Sequence, residues 1–145
     1  MSTIEFTKAY ISRLCKSMGT TAEAVYNAKT GSWYFASKSS TIEVYLTSLE
    51  TEHKTERVFI RCIAPIYKVP TDTKKKMAIY ETALQINTAR IGFKLASLTD
   101  KDLLCVITER DIEGMDYEEF YTLIYDNGFW ADQLTGYLEK HFGKQ

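Results

Sequence analysis

Two histidines are available for acid–base or metal chemistry: His53, inside the charged run "ETEHKTE", and His141, near the C-terminus. Neither has the surrounding pattern of a general base or a metal ligand, so both are expected to be solvated bystanders. Cys15, Cys62 and Cys105 lie in apolar surroundings, with no CxxC spacing and no adjacent histidine. That pattern points to core packing rather than to a nucleophile, a zinc site or a disulfide framework. Asp111, Glu113, Asp116, Glu118 and Glu119 crowd the join between the last strand and the last helix, and oxygen-rich clusters of this kind can hold a divalent cation. Their spacing is not that of an EF-hand loop. Carboxylates in the first turn of a helix are also stabilised by its positive end, which makes capping the stronger role for them. Lys74, Lys75 and Lys76 occupy the first turn of another helix, where their charge opposes the helix dipole. There is no GxxxxGK[ST] or GxGxxG segment to cradle a nucleotide. No catalytic residue, cofactor or metal is expected, and a small-molecule or metal-dependent enzyme with an acidic site near Asp111 and Asp116 is the alternative.

Charge balance narrows the class of partner. A net charge of -1 gives no electrostatic reason for nucleic acid or an anionic membrane surface to bind, and three lysines do not make a basic patch. No apolar run approaches the roughly 20 residues that cross a bilayer, and "MSTIEFTKAY" lacks the charged-then-apolar order of a signal peptide. A cytoplasmic protein is expected. With 145 residues, 45% of them hydrophobic, the chain suits one domain with a substantial core over residues 1–145.

The elements that would position any site follow from periodicity. Ser2 and Glu5 have capping-box spacing, Ile4, Ile11, Leu14, Cys15 and Met18 recur at helical intervals, and Gly19 supplies a stop, which predicts a helix over residues 3–18. Three strands come next: "SWYFAS", "TIEVYLTSL" with Ile42, Val44 and Leu46 on one face, and "RVFIRCIAPIYKV". "ETEHKTE" reads as the loop between the last two, and Pro65 should limit pairing or mark an edge. A second helix opens at Pro70, Thr71 and Asp72, with Met77, Tyr80, Leu84, Asn87 and Ile91 on one stripe, expected to pack on the sheet, and Ile79, Ala83 and Ile86 beside it. "GFKLASL" and "DLLCVITERD" give two more strands around "TDKD". The last helix starts at Asp116 and Glu119 and could kink or break at Asn127 and Gly128. The fold class is α+β: an antiparallel five-stranded sheet with three helices in the order α-β-β-β-α-β-β-α.

Aromatics are the compositional excess, at 13% of the chain. If the helices cover one sheet face only, Tyr34, Tyr45 and either Phe59 or Ile60 lie on the other and become a candidate partner-binding surface. Three helices are also enough to wrap both faces, in which case the same residues are core.

The run "ALQINTARIGFKLASLTDKDLLCVITERD", preceded by a strand beginning at "SWYF" and followed by a long C-terminal helix, resembles the YbjN family, whose fold is similar to that of type III secretion chaperones. In both groups a helix with a leucine and asparagine pattern leads into a two-stranded hairpin, and Leu84, Asn87, Gly92, Phe93, Leu95 and Leu104 stand at those positions. The resemblance implies a type III secretion chaperone-like fold and a non-enzymatic protein-binding or regulatory module, often a homodimer, with no catalytic residues to carry over. The chain departs from secretion chaperones in lacking pronounced acidity and in its longer meander rich in Ser, Thr and Lys, so a YbjN-like domain is favoured over a secretion chaperone for an unfolded effector segment. At the junction itself, Asn87 is expected to hydrogen-bond backbone and Gly92 to supply the turn by which Phe93 and Leu95 enter the sheet, with Leu84 in the same structural set.

Overall fold

The computed structural model describes residues 2–145, apart from the side chains of residues 54 and 55. Helix α1 (Thr3–Ser17) begins at the predicted capping box: Glu5 N donates to Ser2 Oγ at 3.2 Å and Ser2 N donates to Glu5 Oε2 at 2.7 Å. A four-residue helix α2 (Ala22–Val25), capped by Thr21, leads into the two-residue strand β1 (Tyr26–Asn27). Strands β2 (Ser32–Ala36), β3 (Thr41–Thr51) and β4 (Lys54–Lys68) follow, then α3 (Thr73–Ala89), β5 (Lys94–Leu98), β6 (Leu103–Asp111) and α4 (Tyr117–Phe142). The class is α+β, as expected, but the described residues form six antiparallel strands in the order β1-β2-β3-β4-β6-β5 and four helices instead of five strands and three helices. The additions, α2 and β1, are too short to show a period of 3.6 or 2.

Three local expectations change. "ETEHKTE" is mostly strand: β3 runs to Thr51 and β4 starts at Lys54, with Thr51 paired to Lys54 around a tight turn. The run is polar throughout, so it carries no apolar–polar alternation to mark a strand. Pro65 is not on an edge strand, because β4 lies between β3 and β6. It stands past the last β3 partner, Ile63, and next to a register shift against β6, so its missing N–H interrupts no β3 bond. Its carbonyl instead accepts from Ser40 Oγ at 2.6 Å. α3 turns Ile79 and Ala83, both buried, to the sheet, together with Tyr80 and Asn87 of the expected stripe, which reach Ser97 and Leu95 of β5; Met77 and Leu84 of that stripe are exposed, and Ile91 lies beyond the end of the helix. The expected stripe is wider than the face that β5 covers, so only part of it meets the sheet.

α1, α3 and α4 all contribute to one core against a single sheet face. There Val44, Ile60, Cys62 and Val106 meet Ile11 and Cys15 of α1, Ile79 of α3, and Phe120, Ala131 and Leu138 of α4. Burying a Phe or Ile side chain of this kind stabilises by about 1.5–3 kcal/mol relative to leaving it in water, so this layer dominates the fold. The opposite face holds a smaller cluster of Ile63, Cys105 and Ile107 with half-buried Tyr45, Ala96, Leu98 and Leu103, and among the described residues no helix contributes to it. Among the described residues, no helix is long and apolar enough to cross a membrane.

Helix α4 runs unbroken through Asn127 and Gly128. Gly128 has no side chain where α4 passes over β3: a Cβ there would sit 3.2 Å from Ile42 Cδ1 and 3.6 Å from Ser37 Cβ. Asn127, fully buried, donates through Nδ2 to Cys62 O at 2.8 Å, Val106 O at 3.3 Å and Thr108 Oγ1 at 3.3 Å. The pair that suggested a break by local propensity is held by the sheet beneath it.

Candidate protein-binding cleft

The close approach of α4 at Gly128 shapes a cleft of about 860 Å³ between α1, the β2–β3 loop and α4. Leu14 and Met18 of α1 form one wall, Phe35, Ala36 and Ile42 the floor, and Tyr121, Ile124, Tyr125 and Phe129 of α4 the other wall. The α4 wall is a consequence of helical spacing. Aromatics at every fourth position stack in a column, with ring centroids 6.4 Å apart for Tyr117–Tyr121, 6.0 Å for Tyr121–Tyr125 and 6.4 Å for Tyr125–Phe129. The column starts under Arg13, whose guanidinium lies 3.7 Å from the centre of the Tyr117 ring, and it emerges toward solvent, with Tyr125 57% exposed. Met18, at 52%, faces water on the α1 side.

At the mouth, Asp132 of α4 fastens the β2–β3 loop. Its Oδ1 accepts from Ser39 N at 2.9 Å, Ser39 Oγ at 2.5 Å and Ser37 Oγ at 3.2 Å. Burial pushes the Asp132 carboxyl upward, but these bonds and one from the Lys38 backbone outweigh it and hold the group below the usual aspartate range.

The strand beside the cleft is only partly paired on its outer side. β1 pairs with β2 only at Tyr26–Trp33 and Asn27–Ser32, so among the described residues no strand pairs with residues 34–36 on that side, where α2 packs beside β2. Elsewhere, exposed strand backbone is closed by carboxamides. Asn87 accepts from Leu95 N at 2.7 Å and donates to Leu95 O at 3.2 Å, closing the outer edge of β5, and Gln145 bonds both N–H and C=O of Lys68 at the end of β4. A carboxamide presents a donor and an acceptor side by side, as a neighbouring peptide unit would, and so blocks further strand pairing. Asn87 therefore bonds backbone, as expected, but the backbone is that of the adjacent strand edge. Gly92 turns the chain at φ +94, and Phe93 packs on Trp130 at a centroid distance of 4.9 Å. Leu84, grouped with them by sequence, is 67% exposed and takes no part in the junction.

Tyr34, Tyr45 and Phe59 share the sheet face that no helix covers, and the register selects Phe59 over the fully buried Ile60. All three are half-buried and engaged. Tyr34 donates to Thr30 Oγ1 at 3.0 Å, Tyr45 OH accepts from Arg61 at 3.0 Å, and the Arg57 guanidinium lies 4.9 Å from the centre of the Phe59 ring. Arg61 and Lys94 both bind Glu109, at 2.6 and 2.7 Å. None of the three tyrosine and phenylalanine candidates lines the cleft. Tyr121, Tyr125 and Phe129, which do, have a signal in the sequence as a four-residue aromatic repeat beside the buried stripe of Phe120 and Ile124.

The other chemically capable residues are occupied structurally. Asp116 caps α4 by accepting from Glu119 N at 2.8 Å, Asp111 pairs with Arg57 at 2.9 Å, and Glu119 pairs with Arg110. Among the described residues, no group of three His, Cys, Asp or Glu is arranged to hold a metal ion. All three cysteines are buried. Burial pushes the Cys62 thiol up to about 12 and the Cys105 thiol up to about 11, and raises Cys15 as well, which keeps the nucleophilic thiolate scarce at neutral pH. Comparison with protein-family models and with curated proteins gives no match to this chain.

Proposed function

We propose that this chain is a non-enzymatic protein-binding module that takes an extended apolar segment of a partner into the cleft between α1, the β2–β3 loop and α4. The observation that carries the proposal is the coincidence of an apolar cleft with an unpaired strand edge formed by the same residues of β2. An added strand at residues 34–36 gains main-chain hydrogen bonds, and its alternate side chains drop between Met18 and the Tyr121–Phe129 column. The engagement of Asp111, Asp116 and Glu119 in caps and ion pairs favours binding over bond-making at the acidic join. A YbjN-like role in the cytoplasm fits this activity. A type III secretion-type chaperone is the second form of the same reading, favoured by the succession of α1, the short α2, the antiparallel strands β1–β4, α3, the β5–β6 hairpin and α4; it requires the captured segment to be an unfolded stretch of an exported protein.

The test uses fluorescein-labelled ten-residue peptides that alternate apolar and polar residues, titrated with the full chain and followed by anisotropy. Micromolar binding is expected, weakened at least tenfold by Tyr125→Glu and by N-methylation of the peptide backbone, and unchanged by Tyr45→Glu on the far sheet face. Absence of binding, or binding indifferent to Tyr125→Glu, overturns the proposal.

A further inference from the structure

Helices α3 and α4 lie antiparallel on the sheet without closing the space between them. One hollow, of about 670 Å³, runs between Thr82, Ile86 and Ala89 of α3 and Trp130, Leu134 and Tyr137 of α4. A second, of about 290 Å³, lies between Lys75 and Ile79 of α3 and His141 and Phe142 of α4, and the two adjoin where the Tyr137 and His141 rings stack at 4.1 Å. From Lys75 to Arg90 this furrow follows α3 for about 22 Å, at 1.5 Å per residue. Charge is the first observation that says what it takes. Arg90 and Lys140 flank the first hollow, and Lys75 and Lys144 the second. Among the described residues no ion pair involves these four, whereas Arg57, Arg61, Lys94 and Arg110 are each paired with a carboxylate. Asp132 is the one carboxylate side chain on the rim among the described residues, and Ser37 and Ser39 already occupy it. Lys75 also sits with Lys74 and Lys76 in the first turn of α3, where an anion docked above them would relieve their opposition to the helix dipole. Gly136 is the second observation. Glycine weakens a helix interior, and Gly128 is accounted for by Ile42 beneath it, but a Cβ on Gly136 would meet nothing within 4 Å. It leaves an open notch in the α4 wall of the furrow, through which another backbone can approach closely.

We infer that this furrow is a docking site for an acidic amphipathic helix of a partner protein. The helix lies between α3 and α4 with its apolar stripe on Ile86, Leu134 and Trp130, its backbone nearest Gly136, and its carboxylates over Arg90, Lys140, Lys75 and Lys144. A groove between two helices is shaped to seat a third, and its length matches about four helical turns. The cations are spread along that length, as the carboxylates of a helix are and those of a small anion are not. Beyond Trp130 the same side of α4 turns acidic, with Asp126 one turn earlier and Glu118 and Glu119 before it. The cationic strip is therefore bounded, and a nucleic-acid duplex or an anionic membrane surface, extending past it, would meet that acid. The furrow borders the aromatic cleft only at Asp132 and Gln133, and neither inference needs the other.

The test uses a fluorescein-labelled peptide of about 18 residues, or five helical turns, blocked at both ends, with leucines at alternating spacings of three and four and glutamates beside them. It is titrated with the full chain and followed by anisotropy. Micromolar binding is expected. It should weaken at least tenfold with Lys140→Glu and Lys144→Glu together, with the peptide's glutamates exchanged for lysines, and with Gly136→Leu, which fills the notch. Gly136→Leu should at the same time raise the melting temperature, because leucine is the better helix former and has open space there, so the lost binding is not a lost fold. Tyr125→Glu in the cleft should leave binding of this peptide unchanged. Absence of binding, equal capture of the lysine peptide, equally strong competition by polyglutamate or duplex DNA, indifference to Gly136→Leu, or loss with Tyr125→Glu overturns the inference.

Discussion

Asn127 shows how a single side chain can matter more than its local propensity suggests. Its amide nitrogen serves three acceptors on β4 and β6, while its Oδ1 is buried without a hydrogen-bond partner. Such an orphan costs about 1–3 kcal/mol, which the three bonds on the other arm offset. Asn127→Asp removes the donor and sets a carboxyl against two carbonyl oxygens at zero exposure, so it should destabilise by ~3 kcal/mol or more. Asn127→Ala removes both arms together and should cost less. Urea denaturation of both variants checks the order, and an Asp variant at least as stable as the Ala variant would refute it. In the sequence, Asn127 looked like a helix interrupter because its main partner, Cys62, is 65 positions away and leaves no local trace. Asn87 was easier to foresee as a backbone binder, since asparagine near a helix end commonly bonds main chain.

At the scale of elements, α4 depends on Gly128, where a helix-weakening residue permits close contact with β3. Gly128→Ala should gain about 1 kcal/mol of helix propensity and lose most of it to the Cβ placed 3.2 Å from Ile42 Cδ1. Ile42→Val removes that methyl and alone should cost about 0.5–1.5 kcal/mol. Combined with Gly128→Ala it should cost less, because the space it leaves is filled, giving a coupling of about 0.5 kcal/mol or more in a double-mutant cycle. Additive effects in chemical denaturation would show that the glycine is not there for this contact. Elements with a strong period, α1, α4, β4 and β6, were legible in the sequence, with caps at Ser2 and Asp116 marking their starts. β1 and α2 were not, being shorter than any period. The apolar stripe of α3 was visible as spacing, but which part of it meets the sheet, Tyr80 and Asn87 rather than Met77 and Leu84, is decided by where α3 lands on β5, and no window of sequence contains that. The same limit applies to the cleft, whose walls come from α1, β2, β3 and α4 and whose aromatic column becomes a surface only when α4 is laid beside α1.

For the whole molecule, two carboxylates on opposite sides of the sheet link stability to acidity. On the helical side Asp132 ties α4 to the β2–β3 loop, and on the other Glu109 joins Arg61 of β4 to Lys94 of β5. Burial pushes both carboxyls up, but the hydrogen bonds and neighbouring cations prevail, and both end below their ordinary values. A group whose pKa is lower folded than unfolded adds stability that is complete above the unfolded value, about 4, and is lost as the pH falls through the folded one. The melting temperature should therefore hold steady from neutral pH to about 5 and drop below about 4. Asp132→Asn and Glu109→Gln should each lower it at pH 7 and each flatten the acid limb. The two effects should add in the double variant, since the carboxylates share no partner. Glu109 is the more exposed and its ion pairs are open to screening, so about 0.5 M salt should shrink its share while leaving that of Asp132, bonded to hydroxyls and backbone, nearly intact. An acid limb as steep in the double variant as in the wild type would mean that the loop, and with it the mouth of the cleft, is held by something other than Asp132.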